Sequence, residues 1–219
     1  MSPRPQTIAI DLDVLVPPAA LAAESYVRTF QMLDPELEAG VVHAVLQRTV
    51  GTAREVMVDL MAALPEAAQN AHLLQDAEEQ PLWEAIDSTR EAVLADLASD
   101  RHELRAMADP HALHVLEWAR GQGLRVGLAA EAAGAARVLG AIGLEGVGVI
   151  STHDASVLVL AASPTAALAS RAAGARVLLV AQGAGRPPAG GAAASAPALE
   201  VARSGPDLLA AVRRITAGG

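Results

Sequence analysis

The 219-residue chain contains no cysteine and no lysine. Without cysteine there can be no disulfide, no thiolate nucleophile and no zinc–thiolate centre. Without lysine, all 16 basic residues are arginine, so any cation in a site has to be a guanidinium. Aromatics are scarce at 2%, with two Trp, one Tyr and one Phe. Val, Leu, Ile and Ala must therefore build the core. No basic stripe with interleaved aromatics occurs and the net charge is −9. An acidic surface repels phosphate backbones, which argues against nucleic-acid partners. No apolar run reaches transmembrane length. The only apolar stretch near the N-terminus is interrupted by two aspartates and does not read as a signal peptide. A soluble cytoplasmic protein with no membrane association is the expectation.

Apolar residues make up 52% of the chain. That is enough for one α/β domain with a sizeable core and a smaller inserted unit. Residues 7–16, TIAIDLDVLV, form a β-rich run that reads as a central strand of a parallel sheet, stopped by Pro17 and Pro18. From Ala19 to about Ala108 the period is helical. Leu21, Tyr26, Val27 and Phe30 make one stripe, Val41, Val45, Leu46 and Val50 another, and Val56, Leu60 and Leu64 a third. Four or five helices are predicted there. Asp109-Pro110 has the form of a helix start and Gly121 of its end. Strands are then predicted at 123–130, 146–150, 156–162, 175–181 and 198–202. Helices are predicted at 132–142, 164–173 and 206–215. Residues 182–197, rich in Gly, Pro and Ala, read as a flexible loop. Alternating strands and helices imply a parallel sheet with right-handed crossovers.

In an open parallel sheet the chemistry gathers outside the carboxyl ends of the strands. Asp11 and Asp13 lie where the first strand ends. Two carboxylates there are costly unless they are paired or coordinated. One could act as a nucleophile and the other as a general acid–base.

The run Asp11-Leu12-Asp13-Val14-Leu15 after an apolar strand resembles the first motif of the haloacid dehalogenase (HAD) superfamily, Asp-x-Asp-Gly-Thr. Both aspartates match, and Val-Leu replaces Gly-Thr. The resemblance extends to the helical stretch after that motif, to Gly121-Gln122-Gly123-Leu124-Arg125-Val126 and to Arg171-Ala172-Ala173-Gly174-Ala175-Arg176. It is nearest to relatives of phosphoglycolate phosphatase and phosphonoacetaldehyde hydrolase. It implies a Rossmann-like core over residues 1–16 and 109–219, with an α-helical cap over 17–108. It further implies Asp11 as nucleophile, Asp13 as general acid and both near a Mg²⁺ ion.

The remaining motifs are degenerate. The second, which the resemblance would end in Ser or Thr, falls on Ala130, with Glu131 beside it. The third requires a basic residue, for which Arg137 is the candidate. The fourth would carry two acids, but Ala162 and Ala166 stand there, leaving Ser163 as the polar group. Asp11 and Asp13 alone make a poor magnesium site. The sequence therefore predicts a HAD-like protein, ancestrally a phosphatase for a small phosphorylated metabolite, with weak or lost activity. The alternative is a non-catalytic binding or assembly protein. The partner would be a small phosphorylated molecule or another protein. His111 and His114 have helical metal-ligand spacing but no third ligand. His153-Asp154 precedes a strand and so falls at the wrong end of the sheet. Trp83 and Trp118 read as packing residues.

Overall fold

The computed structural model describes residues 4–49, 51–75, 80–132, 134–181 and 199–217. The predicted loop at 182–197 lies outside the described residues. The chain divides into two compact units, Met1–Pro17 with Leu104–Gly219, and Pro18–Glu103.

The first unit is a five-stranded parallel sheet. Its strands are β1 (Thr7–Ile10), β2 (Arg125–Leu128), β3 (Val157–Ala161), β4 (Arg176–Ala181) and β5 (Glu200–Arg203), in the order β2-β1-β3-β4-β5. Every residue of β1 and β3 is buried. A strand covered on both faces needs a continuous apolar run rather than alternation, and TIAI and VLVLA supply it. Four helices of this unit are α8 (Pro110–Gly121), α9 (Ala135–Ala141), α10 (Pro164–Ala172) and α11 (Asp207–Ala217). Asp109 caps α8 by accepting from the N–H groups of His111 and Ala112 at 2.8 and 3.2 Å, ahead of Pro110. A small cluster of Ala9, Val157, Val159, Ala161 and Leu179 packs one part of the sheet.

Two expected strands are corrected. The run 7–16 is strand only to Ile10. Asp11 then takes an N-cap conformation (φ −68°, ψ 141°) and Leu12–Leu15 form a single helical turn, α1. Val14, Leu15 and Val16 remain buried. A buried apolar run does not distinguish strand from helix; Asp11 holds the N-cap position without a side-chain bond to the turn. The segment 146–150 is not a strand. It makes one bridge beside β2, between Leu128 and Val149. Gly146 (φ +79°) and Gly148 supply no side chains to pack, and Val149 is 51% exposed.

The second unit is helical, with α2 (Pro18–Leu33), α3 (Ala39–Arg48), α4 (Ala53–Ala63), α5 (Pro65–Asn70), a 3-10 turn at Ala71–Leu74, and α6 (Leu82–Ser99). The helix α7 (Arg101–Ala106) carries the chain across the boundary at residue 103. More helices occur than the apolar period indicates because polar breaks divide it. Pro65 cannot continue the ladder from α4. Asp100 stops α6 and caps α7, accepting from the N–H groups of His102 and Glu103 at 2.7 and 3.1 Å. Phe30, Val42, Met57, Leu60 and Ile86, all 0% exposed, centre the core. One member of each of two predicted stripes is displaced, with Val42 rather than Val41 buried in α3 and Met57 rather than Val56 in α4, while Val45, Leu60 and Leu64 are buried as expected. Thr52 and Glu55 form a reciprocal capping box on α4. The buried Arg90 pairs with Asp87 and Glu91 and stacks its guanidinium 5.1 Å from the Tyr26 ring centroid.

Candidate functional site

With β1 between β2 and β3, the carboxyl ends of three neighbouring strands bring together the segments that begin at Asp11, Ala129 and Ala162. The pairings continue one residue beyond the regular ladders. The Asp11 N–H donates to the Leu160 carbonyl at 2.9 Å, and the Ala129 N–H to the Ile10 carbonyl at 3.0 Å. Parallel strands in this register leave the chain ends side by side.

Asp11 is half-buried. Its Oδ2 accepts from the Ala162 N–H at 2.9 Å. Burial pushes its carboxyl above the usual aspartate range; the Ala162 N–H works against this, and the charge of Asp13 adds to the rise. Among the described residues no guanidinium is among the groups that shift the Asp11 carboxyl. Asp13 is exposed in the first turn of α1, where the helix dipole favours an acid. It has an interaction of its own.

The other predicted residues are less committed to one point. Ala130 is exposed and offers only a methyl group. Ser163 is exposed and is the N-cap of α10; its Oγ accepts from the Ala166 N–H at 3.2 Å. Its position on the strand next to β1 puts it on the same edge of the sheet as Asp11. Arg137 is exposed on α9 and forms no ion pair among the described residues. Asp11, Ala130 and Ser163 are thus brought to one edge by strand order, whereas no contact ties Arg137 to them.

Magnesium does not fit this donor set. Octahedral coordination by hard oxygens draws on carboxylates, and Ala162 and Ala166 have none to give. Among the described residues no group of three or more His, Cys, Asp or Glu converges as a metal site. That includes His111 and His114 on α8. His153 and Asp154 line a cavity of about 750 Å³ with Gln6, Thr7, Arg125 and Ser156, at the amino end of the sheet. They are removed from Asp11, as their place before β3 implied. Among the described residues no helix is long and apolar enough to cross a membrane.

The Ala162 N–H is the functional group that sequence reading overlooked. It has no signal in residue type, because every non-proline residue carries a backbone donor.

No protein-family profile and no curated protein matches the sequence. Among solved structures, a Thermotoga maritima protein assigned as a beta-phosphoglucomutase is similar over 96% of this chain and 99% of its own, with a TM-score of 0.54 at 15% identity. A protein from Haemophilus somnus 129pt assigned as a phosphoglycolate phosphatase matches over 82% of this chain and 87% of its own (TM-score 0.41, 14% identity). A beta-phosphoglucomutase of Clostridium difficile matches over 81% and 85% (TM-score 0.39, 12% identity). The first likeness shows the fold, a Rossmann-like parallel sheet with a helical insertion between β1 and β2.

Proposed function

We propose that the chain is a HAD-like protein descended from a phosphatase of small phosphorylated metabolites, and that its own hydrolytic activity is weak or lost. One observation carries this reading. The half-buried Asp11 faces a backbone N–H and a second carboxylate, and among the described residues no cation shifts its carboxyl. In the ancestral chemistry Asp11 attacks phosphorus and Asp13 protonates the leaving oxygen. Phosphoryl transfer depends on positioning and on neutralising charge. A phosphate dianion brought to two carboxylates is repelled unless a cation reverses the local sign. The hydroxyl of the second motif is replaced by Ala130, the acids of the fourth by Ala162 and Ala166, and Arg137 is not tied to Asp11. Losing one such electrostatic contact costs about 10²–10³ in rate, and several losses compound.

The same observation favours a second reading, in which the protein acts as a binding or assembly partner and Asp11 serves the fold. The retained acid then ties the end of β1 to the end of β3. In either case a small phosphorylated molecule or another protein is the proposed partner, and the cytoplasm the proposed location. Helices Pro18–Glu103 are the proposed cap.

Magnesium titration tests the electrostatic basis. The natural protein should show no heat of Mg²⁺ binding and no rise in melting temperature with Mg²⁺. Ala162→Asp, which restores a carboxylate beside Asp11, should gain both, because a ligand that prefers the folded state stabilises it. Tight Mg²⁺ binding by the natural protein, lost in Asp11→Asn, would show that oxygens not counted here complete the site.

A further inference from the structure

At the opposite end of the sheet, the amino ends of β4 and β5 and the last turns of α10 and α11 enclose a cavity of about 540 Å³. Its lining includes Arg171, Arg176 and Arg214, with Glu200 as the only acid among the described residues. Three of the chain's 16 basic residues are gathered here on a molecule of net charge −9. The two helix ends contribute roughly half a negative charge each. Against these and Glu200 stand three guanidinium groups lining one cavity.

The arginines are placed rather than merely present. Arg176 opens β4, and its Nη1 donates to the Ile215 carbonyl in the last turn of α11 at 3.2 Å. That bond fixes the plane of the guanidinium. It uses one of five N–H donors, so others remain for a ligand. Arg214 pairs with Glu200 at the mouth, and its side chain is 65% exposed. Exposed pairs of this kind contribute little to stability and are readily exchanged. Arg171, which has an interaction of its own, adds charge to the wall. Planar guanidinium forks match carboxylate and phosphate oxygens in bidentate geometry.

The geometry points to a binding site for a compact, multiply charged oxyanion in this cavity, held by Arg176 and Arg214 and separate from the Asp11 edge. Binding exchanges the Arg214–Glu200 pair for an Arg214–ligand pair. Glu200 therefore opposes the ligand, and removing its charge should tighten binding. The shared chemistry is a cluster of anionic oxygens, which either a polyphosphate or a polycarboxylate presents.

Isothermal calorimetry of the full chain with inorganic pyrophosphate and, separately, with citrate tests this, with sodium chloride at matched ionic strength as the blank. At least one anion should bind. Arg214→Gln should weaken it by about tenfold or more, as expected when a charge-assisted hydrogen bond is removed. Glu200→Gln should bind more tightly than the natural protein, and Asp11→Asn should bind unchanged. Binding by one anion and not the other identifies the class. Arg176→Gln adds a second loss, and Arg214→Gln, at an exposed position, covers the event that Arg176→Gln does not fold. No binding of either anion, or binding that is indifferent to Arg214→Gln and Glu200→Gln, would overturn the assignment. So would loss of binding in Asp11→Asn.

Discussion

The backbone N–H of Ala162 donates to Oδ2 of Asp11 at 2.9 Å, joining residues 151 positions apart in sequence. Together with the Asp11 N–H bond to the Leu160 carbonyl, it makes Asp11 bracket the end of β3. The carboxylate that begins the site is also a clasp between two central strands.

A dependence on pH follows, with a definite sign. The Asp11 carboxyl titrates above its usual range in the folded protein, mainly through burial. Between the unfolded aspartate value, about 3.9, and the raised folded value, the folded state holds more protons than the unfolded one. Stability contributed by this group is therefore present below that window and lost as pH rises through it. Asp11→Asn keeps an oxygen for the Ala162 N–H but cannot ionise. Its melting temperature relative to the natural protein should rise from acid to neutral pH. Asp13→Asn, by removing a like charge, should shift the Asp11 titration downward, as followed by carboxyl-selective NMR. A melting temperature of Asp11→Asn that falls relative to the natural protein from acid to neutral pH would contradict the sign.

Ser163 separates a capping role from a binding one. As the N-cap of α10 it accepts from the Ala166 N–H. Ser163→Ala should cost about 1 kcal/mol in denaturant unfolding. Ser163→Asp should retain most of the stability, since Asp caps as well as Ser does. Equal losses in both variants would mean that the hydroxyl serves some other contact.

Gly127 governs the approach of the 146–150 segment to β2. A Cβ there would overlap the Ile150 side chain and lie 2.7 Å from the Gly148 carbonyl oxygen. Gly127→Ala should destabilise the protein by about 1–3 kcal/mol, the range for overpacking. Trimming Ile150 in the same chain should restore part of the loss, leaving the clash with backbone. Unchanged unfolding in Gly127→Ala would mean that the segment moves aside freely.

The sheet was legible because its central strands are buried on both faces. Val157–Ala161 and Arg176–Ala181 stand out as apolar runs between turn residues, and Asp109-Pro110 marks a helix start by capping chemistry alone. Where packing rather than local pattern decides, reading by period slipped. Val41 and Val42 are adjacent and equally apolar, and only the neighbouring helices determine that Val42 is the buried one. The 146–150 segment is apolar enough for a strand, but its glycines leave it a single bridge. The site was legible in its acids, because Asp11 and Asp13 interrupt an apolar strand end. The partner of Asp11 was not, because a backbone N–H at Ala162 leaves no mark on residue type.

The most direct measurement of the central claim is turnover of a generic phosphomonoester by the purified protein with Mg²⁺, alongside Asp11→Asn. The account predicts a rate at or near background that Asp11→Asn leaves unchanged, since Ala130, Ala162 and Ala166 stand where a phosphatase would carry a hydroxyl and metal-binding acids. Robust Mg²⁺-dependent turnover that disappears in Asp11→Asn would contradict it.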